Sequence, residues 1–154
     1  MNFKRLLGVA VVFGIACTSV LAQTPDPLVG TWKLNPAKSK GTYKSGMSVF
    51  EAAADGVKAT VDLVGADGTV YHWSVTAKYD GKDNAITGNN PYGDTMALTR
   101  VNPNTVTISL KQGGKATVSQ TIVIAPDGKT RTTTATGVDP KGKPVDGMSF
   151  YERQ

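Results

Sequence analysis

The sequence predicts an all-β protein, an antiparallel up-and-down β-barrel of about 8–10 strands. Three observations carry this. Turn dipeptides recur at roughly 12-residue spacing. The runs between them alternate apolar and polar residues with period two. No long window shows a helical period.

The turns come first, because they fix the connectivity. Asp55-Gly56, Asp67-Gly68, Asp80-Gly81 and Asp127-Gly128 are Asp-Gly pairs, and Gly113-Gly114 is a fifth candidate. Both residue types tolerate the positive φ angles of tight hairpins. The segments between them read as ten strands: 28–34, 47–53, 57–64, 69–79, 84–88, 95–101, 105–111, 115–125, 129–137 and 145–153. Residues 35–46 form a polar connection with room for one helical turn. Pro103, Pro126 and Pro140 fall between strands, where they break no ladder.

Alternation then assigns faces. Tyr71, Trp73, Val75, Ala77 and Tyr79 share one face, with His72 on the other. Val106, Ile108 and Leu110 share a face. Val57, Ala59, Val61 and Leu63 oppose Lys58, Thr60 and Asp62. A sheet with one apolar face must close or stack. Consecutive hairpins favour closure, which also removes exposed edges; a β-sandwich is the alternative.

Residues 1–22 differ from the rest. Lys4 and Arg5 precede an uncharged apolar run that ends at Val20-Leu21-Ala22. This is the layout of a cleaved secretory signal, short for a spanning helix. The expected organisation is a signal peptide at 1–22, a lead-in at 23–27 and a barrel domain at 28–154, with no transmembrane segment in the mature chain. The expected location is secreted or periplasmic. Cys17 is the sole cysteine and lies in the signal. The preceding Gly14-Ile15-Ala16 lacks the leucine usual before a lipidated cysteine, so cleavage is preferred to lipidation. The domain then has no disulfide to hold it.

Of 17 basic residues, two lie in the signal, leaving 15 against 12 acidic residues, or +3. No basic stripe is present, which argues against nucleic acid as a partner. Catalytic motifs are scarce. His72 is the only histidine. Gly-x-Ser-x-Gly, Walker and Gly-x-Gly-x-x-Gly loops are absent, and no His/Cys/Asp/Glu cluster has metal-ligand spacing. The expectation is a monomeric non-enzyme without cofactor or metal.

Polar residues in phase with apolar ones are the candidate site. Arg100 alternates with Met96 and Leu98, Gln120 with Val118 and Ile122, and Arg131 with Thr133 and Ala135. Glu51 is in phase with Met47, Val49 and Ala53. A buried charge needs a partner, because desolvation costs several kcal/mol. Arg100 or Arg131 therefore either binds an anionic or polar ligand group in the lumen, or sits at a strand end or pairs with a carboxylate such as Glu51. Tyr71 and Trp73 line a cavity or fill the core. Small residues on the presumed inner face (Ala53, Ala59, Ala77, Ala97, Ala116) leave room inside.

At Leu28-Val29-Gly30-Thr31-Trp32-Lys33-Leu34 the chain carries a Gly-x-Trp in its first strand, and it ends on Phe150-Tyr151-Glu152-Arg153. This pair resembles the calycin superfamily, the lipocalins and intracellular fatty-acid-binding proteins. The stretch from Gly30 to Lys40 also resembles exported bacterial lipocalin-like proteins of unassigned activity. The resemblance implies that Gly30 lets the chain bend closely at a barrel floor, that Trp32 plugs it, and that Arg153 stacks on the indole. Tyr151 matches the tyrosine of the Arg-x-Tyr that holds the ligand carboxylate in fatty-acid-binding proteins, but Ser149 stands where that arginine would be.

Two functions follow. The first is non-catalytic binding of a small hydrophobic ligand in the lumen, with Arg100, Gln120, Arg131, Tyr71, Trp73 and Tyr151 as candidate contacts. The second is a solid barrel that meets a protein or envelope partner through loops 89–94 and 139–144. An enzyme with a site at the barrel mouth is a third class, left without a constellation to support it.

Overall fold

A computed structural model describes residues 24–154. The signal-peptide and Cys17 expectations lie outside the described residues. Eleven strands form one antiparallel sheet that curls into a nearly closed barrel. They are β1 (Gly30–Leu34), β2 (Tyr43–Ala53), β3 (Gly56–Gly65), β4 (Val70–Lys78), β5 (Asn84–Ala85), β6 (Thr87–Gly88), β7 (Thr95–Asn102), β8 (Thr105–Gln112), β9 (Lys115–Ile124), β10 (Thr130–Val138) and β11 (Pro144–Arg153). Their order around the barrel is β5-β7-β8-β9-β10-β11-β1-β2-β3-β4-β6. No helix among the described residues is long and apolar enough to cross a membrane.

Four of the five expected turns close hairpins, and Asp80-Gly81 instead lies at the seam, between β4 and β5, which do not pair. Gly113 and Gly114 both have positive φ (56° and 80°), as a two-residue turn of the mirror-image type requires. Asp55 supplies the one positive φ outside glycine among the described residues (57°). The connection after β1 holds a single 3₁₀ turn, Pro36–Lys38. Asn35 caps it by accepting from the Lys38 amide, and Pro36 starts it, where a missing N–H costs nothing.

The expected strand 84–88 is two short pieces. Asn84 pairs with Met96 of β7, and Gly88 pairs with Trp73 of β4. One five-residue stretch thus laces the two strands at the seam. The Asp80–Thr99 bridge and the Gly81 amide donating to the Leu98 carbonyl (2.8 Å) fasten the lower seam. The last strand returns to the first, with Trp32 opposite Arg153 and Leu34 opposite Tyr151. The described residues, which include no cysteine, are held by ladder hydrogen bonds and inner-face packing.

Three inner-face placements are corrected. In β2 the inward residues are Ser48 and Phe50, both buried. Met47 and Val49 face outward, with Glu51 exposed beside Lys58 at 3.6 Å. Ser48 lies opposite Trp32, so the phase follows the indole. Ala97 lies between inward Met96 and Leu98 and so belongs to the outer side, though its neighbours cover it. Ala116 is exposed near the β8–β9 turn. Of the five alanines expected to leave room inside, Ala59 and Ala77 line the lumen.

Candidate functional site: the barrel lumen

The lumen encloses a cavity of about 430 Å³. Its walls are the apolar faces of β3, β4, β7, β8 and β9, among them Val61, Trp73, Val75, Leu98, Ile108 and Ile122. Its mouth lies at the end where β3 turns into β4 and β10 into β11, and is rimmed by Asp67, Tyr92, Asp139 and Lys143. The Tyr43 hydroxyl donates to the Tyr92 hydroxyl (3.0 Å), and the Tyr43 ring meets the Tyr71 ring edge-on, with centroids 6.2 Å apart. Burial raises the Tyr43 and Tyr92 hydroxyls above the usual phenol range.

Trp32 closes the other end. It is fully buried, and its indole N–H donates to the Leu28 carbonyl (2.9 Å). Two guanidiniums lie near the indole. Arg153 sits 4.1 Å from the ring centroid and donates to the carbonyls of Pro27 (2.6 Å), Val29 (2.7 Å) and Gly128 (2.6 Å). Gly30 has φ of 142°, and a Cβ there would collide with the Arg153 guanidinium. The glycine is thus needed for both its backbone and its space.

Arg131 is the second guanidinium. It is 3% exposed, comes from the start of β10 and lines the cavity. Nη1 donates to Thr133 Oγ1 (2.8 Å) and Nη2 to Ser48 Oγ (2.5 Å). Its carbon centre lies 3.9 Å from the Tyr151 ring centroid, 5.3 Å from Phe50 and 5.4 Å from Trp32. Nε is buried without a hydrogen-bond partner among the described residues. None of the salt bridges among them includes Arg131. Burial pulls its pKa down to about 10, which leaves it charged at neutral pH. The cationic face of the guanidinium on three rings offsets part of the desolvation, but no carboxylate answers the charge.

Arg100 does not line the cavity. It sits at the lower end of β7, where Nη2 meets Asp26 Oδ2 at 2.6 Å and Nη1 donates to the Pro103 carbonyl at 2.9 Å. The Tyr79 hydroxyl donates to the same Asp26 oxygen (2.6 Å), and the Tyr79 ring lies 4.0 Å under the guanidinium. Its carboxylate partner is Asp26 of the lead-in, and Glu51 is elsewhere. Gln120 lines the cavity from β9. Trp73 lines it from β4, and its indole N–H is buried without a partner among the described residues. Tyr151 lines it as the ring under Arg131, and Tyr71 belongs to the mouth. His72 is on the outer surface, with Nδ1 2.6 Å from Asp62.

The structure therefore joins Arg131, Gln120, Trp73, Tyr71 and Tyr151 around one space and sets Arg100, Gly30 and Arg153 at its floor. Sequence reasoning missed Ser48 and Phe50, while Thr133 was placed only on the face of Arg131. Phe50 was the available signal: it is the largest residue of the expected strand 47–53, and Ser48 shares its phase. The chain matches no protein-family model and no curated protein.

Proposed function

We propose that this chain is an exported calycin-like barrel that binds, without catalysis and as a monomer, one small and mainly apolar molecule in its lumen. The carrying observation is the cavity, whose volume falls within the roughly 300–1,000 Å³ usual for ligand pockets. Its walls are apolar with a few buried polar groups, which is the composition such pockets have. Burial of ligand surface against those walls supplies about 25 cal/mol per Å². Support for the calycin assignment comes from the floor, with Gly30, Trp32 and Arg153 packed as one unit. Support for export comes from residues 1–22 alone. The non-catalytic part rests on the sequence, which carries no recognisable catalytic motif.

A solid barrel working through its loops has less support, because Asn90, Tyr92, Asp139 and Lys143 of those loops already rim the cavity. Titration of the purified protein with Nile red, a neutral apolar dye, tests the reading. Saturable emission enhancement at micromolar concentration, competed by neutral apolar molecules, is expected; no saturable binding defeats it. Expression of the full chain in a bacterium tests export: a periplasmic product starting at Gln23 is expected, and an unprocessed cytoplasmic product argues against it.

A further inference from the structure

The chain carries five Asp-Gly pairs: Asp55-Gly56, Asp67-Gly68, Asp80-Gly81, Asp127-Gly128 and Asp146-Gly147. Such a pair rearranges with no enzyme or co-reactant but water. The glycine nitrogen attacks the aspartate Cγ, a C–N bond forms, and the carboxyl oxygen leaves as water. The five-membered imide then takes up water at either carbonyl. One opening restores aspartate. The other gives isoaspartate, whose main chain runs through the side-chain carbon. Glycine favours the attack, because it has no Cβ to shield its nitrogen. The fold decides which pair reacts, since the step needs a free carboxyl group and a backbone able to rotate about ψ.

Four of the pairs are held. The Asp67 carboxylate accepts from the Thr69 amide and hydroxyl (both 2.9 Å), Asp80 from the Lys82 amide (3.1 Å) and Asp127 from the Lys129 amide (3.0 Å). The Thr69 bonds also hold the Asp67 carboxyl below its usual range and so keep it ionised, the form that a nitrogen attacks less readily. The amides of Gly68, Gly81 and Gly128 donate to the carbonyls of Gly65 (2.9 Å), Leu98 (2.8 Å) and Ala125 (2.8 Å). Asp146 and Gly147 lie within β11, in register with Thr136 and Ala135 of β10.

Asp55 stands apart. It is at the tip of the β2–β3 hairpin with φ of 57°, a conformation that favours glycine. Its side chain is 85% exposed, and its carboxylate meets only Lys78 Nζ, at 3.7 Å, among the described residues. The pair Ala53–Gly56 closes the turn, and exposed loop tips are among the first parts of a fold to open. We infer that Asp55 is a modification site, where the chain converts spontaneously to isoaspartate. The conversion keeps the charge and adds one methylene to the main chain. It acts next to the barrel floor: the Asp55 carbonyl accepts from the Tyr79 amide (3.1 Å), and the Tyr79 hydroxyl donates to Asp26. The site is independent of what the lumen binds.

The test keeps the purified protein for several weeks in warm buffer at pH 7.5, with a parallel sample in denaturing urea. Peptide mapping with electron-transfer fragmentation, which separates the two isomers although their masses agree, quantifies isoaspartate at all five pairs. In the folded protein, isoaspartate is expected to form at Asp55 several-fold faster than at any other pair. In urea the five rates should converge, because glycine follows every one of these aspartates. A faster rate at another pair, no isoaspartate at Asp55 in the folded protein, or an undiminished Asp55 lead in urea overturns the inference.

Discussion

Arg100 and Arg131 both lie in the inward phase of their strands, yet the fold treats them oppositely. Arg100 stands at a strand end with Asp26, the Pro103 carbonyl and the Tyr79 ring around it. Arg131 stands inside the barrel with two hydroxyls, three rings and no acid. The difference separates a charge that fastens the fold from a charge that the fold leaves open. Asp26 brings the lead-in under the barrel and ties it to β7, a structural role complete in itself. A buried cation without an anion costs stability.

The indole next to Arg131 gives the largest expected effect. Trp32 seals the lumen and lies under both Arg131 and Arg153. Trp32→Ala should destabilise the protein by about 3–5 kcal/mol, measured by urea unfolding, as large-to-small changes at buried aromatics do. A loss below ~1 kcal/mol would mean that the floor is not a shared plug.

Asp26→Ala comes next. It leaves Arg100 and the Tyr79 hydroxyl without their common acceptor. Loss of about 2 kcal/mol is expected, the scale of hydrogen bonds to charged groups, with Nile red affinity unchanged. A large fall in affinity would erase the distinction between the two arginines.

Alkaline pH sharpens the comparison by a smaller amount. Burial and the Asp26 carboxylate raise the Tyr79 hydroxyl above its ordinary value. A group with a raised folded pKa keeps its proton in the native state while the unfolded chain loses it. Its contribution is fully present below about pH 10, the unfolded tyrosine value, and is lost as pH rises through the folded one. Stability should therefore fall above about pH 10, and Tyr79→Phe should flatten that fall. Urea midpoints read between pH 8 and about 11 check it; a variant with the wild-type slope would contradict it.

The smallest expected change in stability belongs to Arg131→Met. Replacing an unanswered buried charge by an apolar side chain should leave stability within about 1 kcal/mol of wild type, or raise it. Circular dichroism melting checks this. A loss as large as that of Asp26→Ala would show that Arg131, too, is a structural fastener.

Much of the barrel was legible in the sequence. The Asp-Gly pairs punctuate it, and the alternation of β4 and β8 sets their faces, because each carries most of its large apolar residues on one side, Val70 at the start of β4 being the exception. In β2 the same rule misled: Met47 and Val49 are apolar on the outer side, while Ser48 is polar on the inner one. Phase there is decided by the partner strand, where Trp32 lies opposite Ser48. The seam was read as one strand, because a five-residue run does not reveal that its two ends pair with different neighbours. Arg131 was legible as a polar residue in an apolar phase. Its partner Ser48 was not, since it lies 83 residues away in sequence. Asp26 was equally hidden from Arg100, 74 residues off, in a stretch that looked like a mere lead-in.

The most direct measurement follows the arginine side-chain Nε–H signals by NMR while Nile red is added to the protein. The dye should move the Arg131 signal in a saturable way and leave the Arg100 signal in place. Saturable shifts at Arg100, or on the outer surface around Asp62 and His72 with Arg131 unmoved, would contradict binding in the lumen.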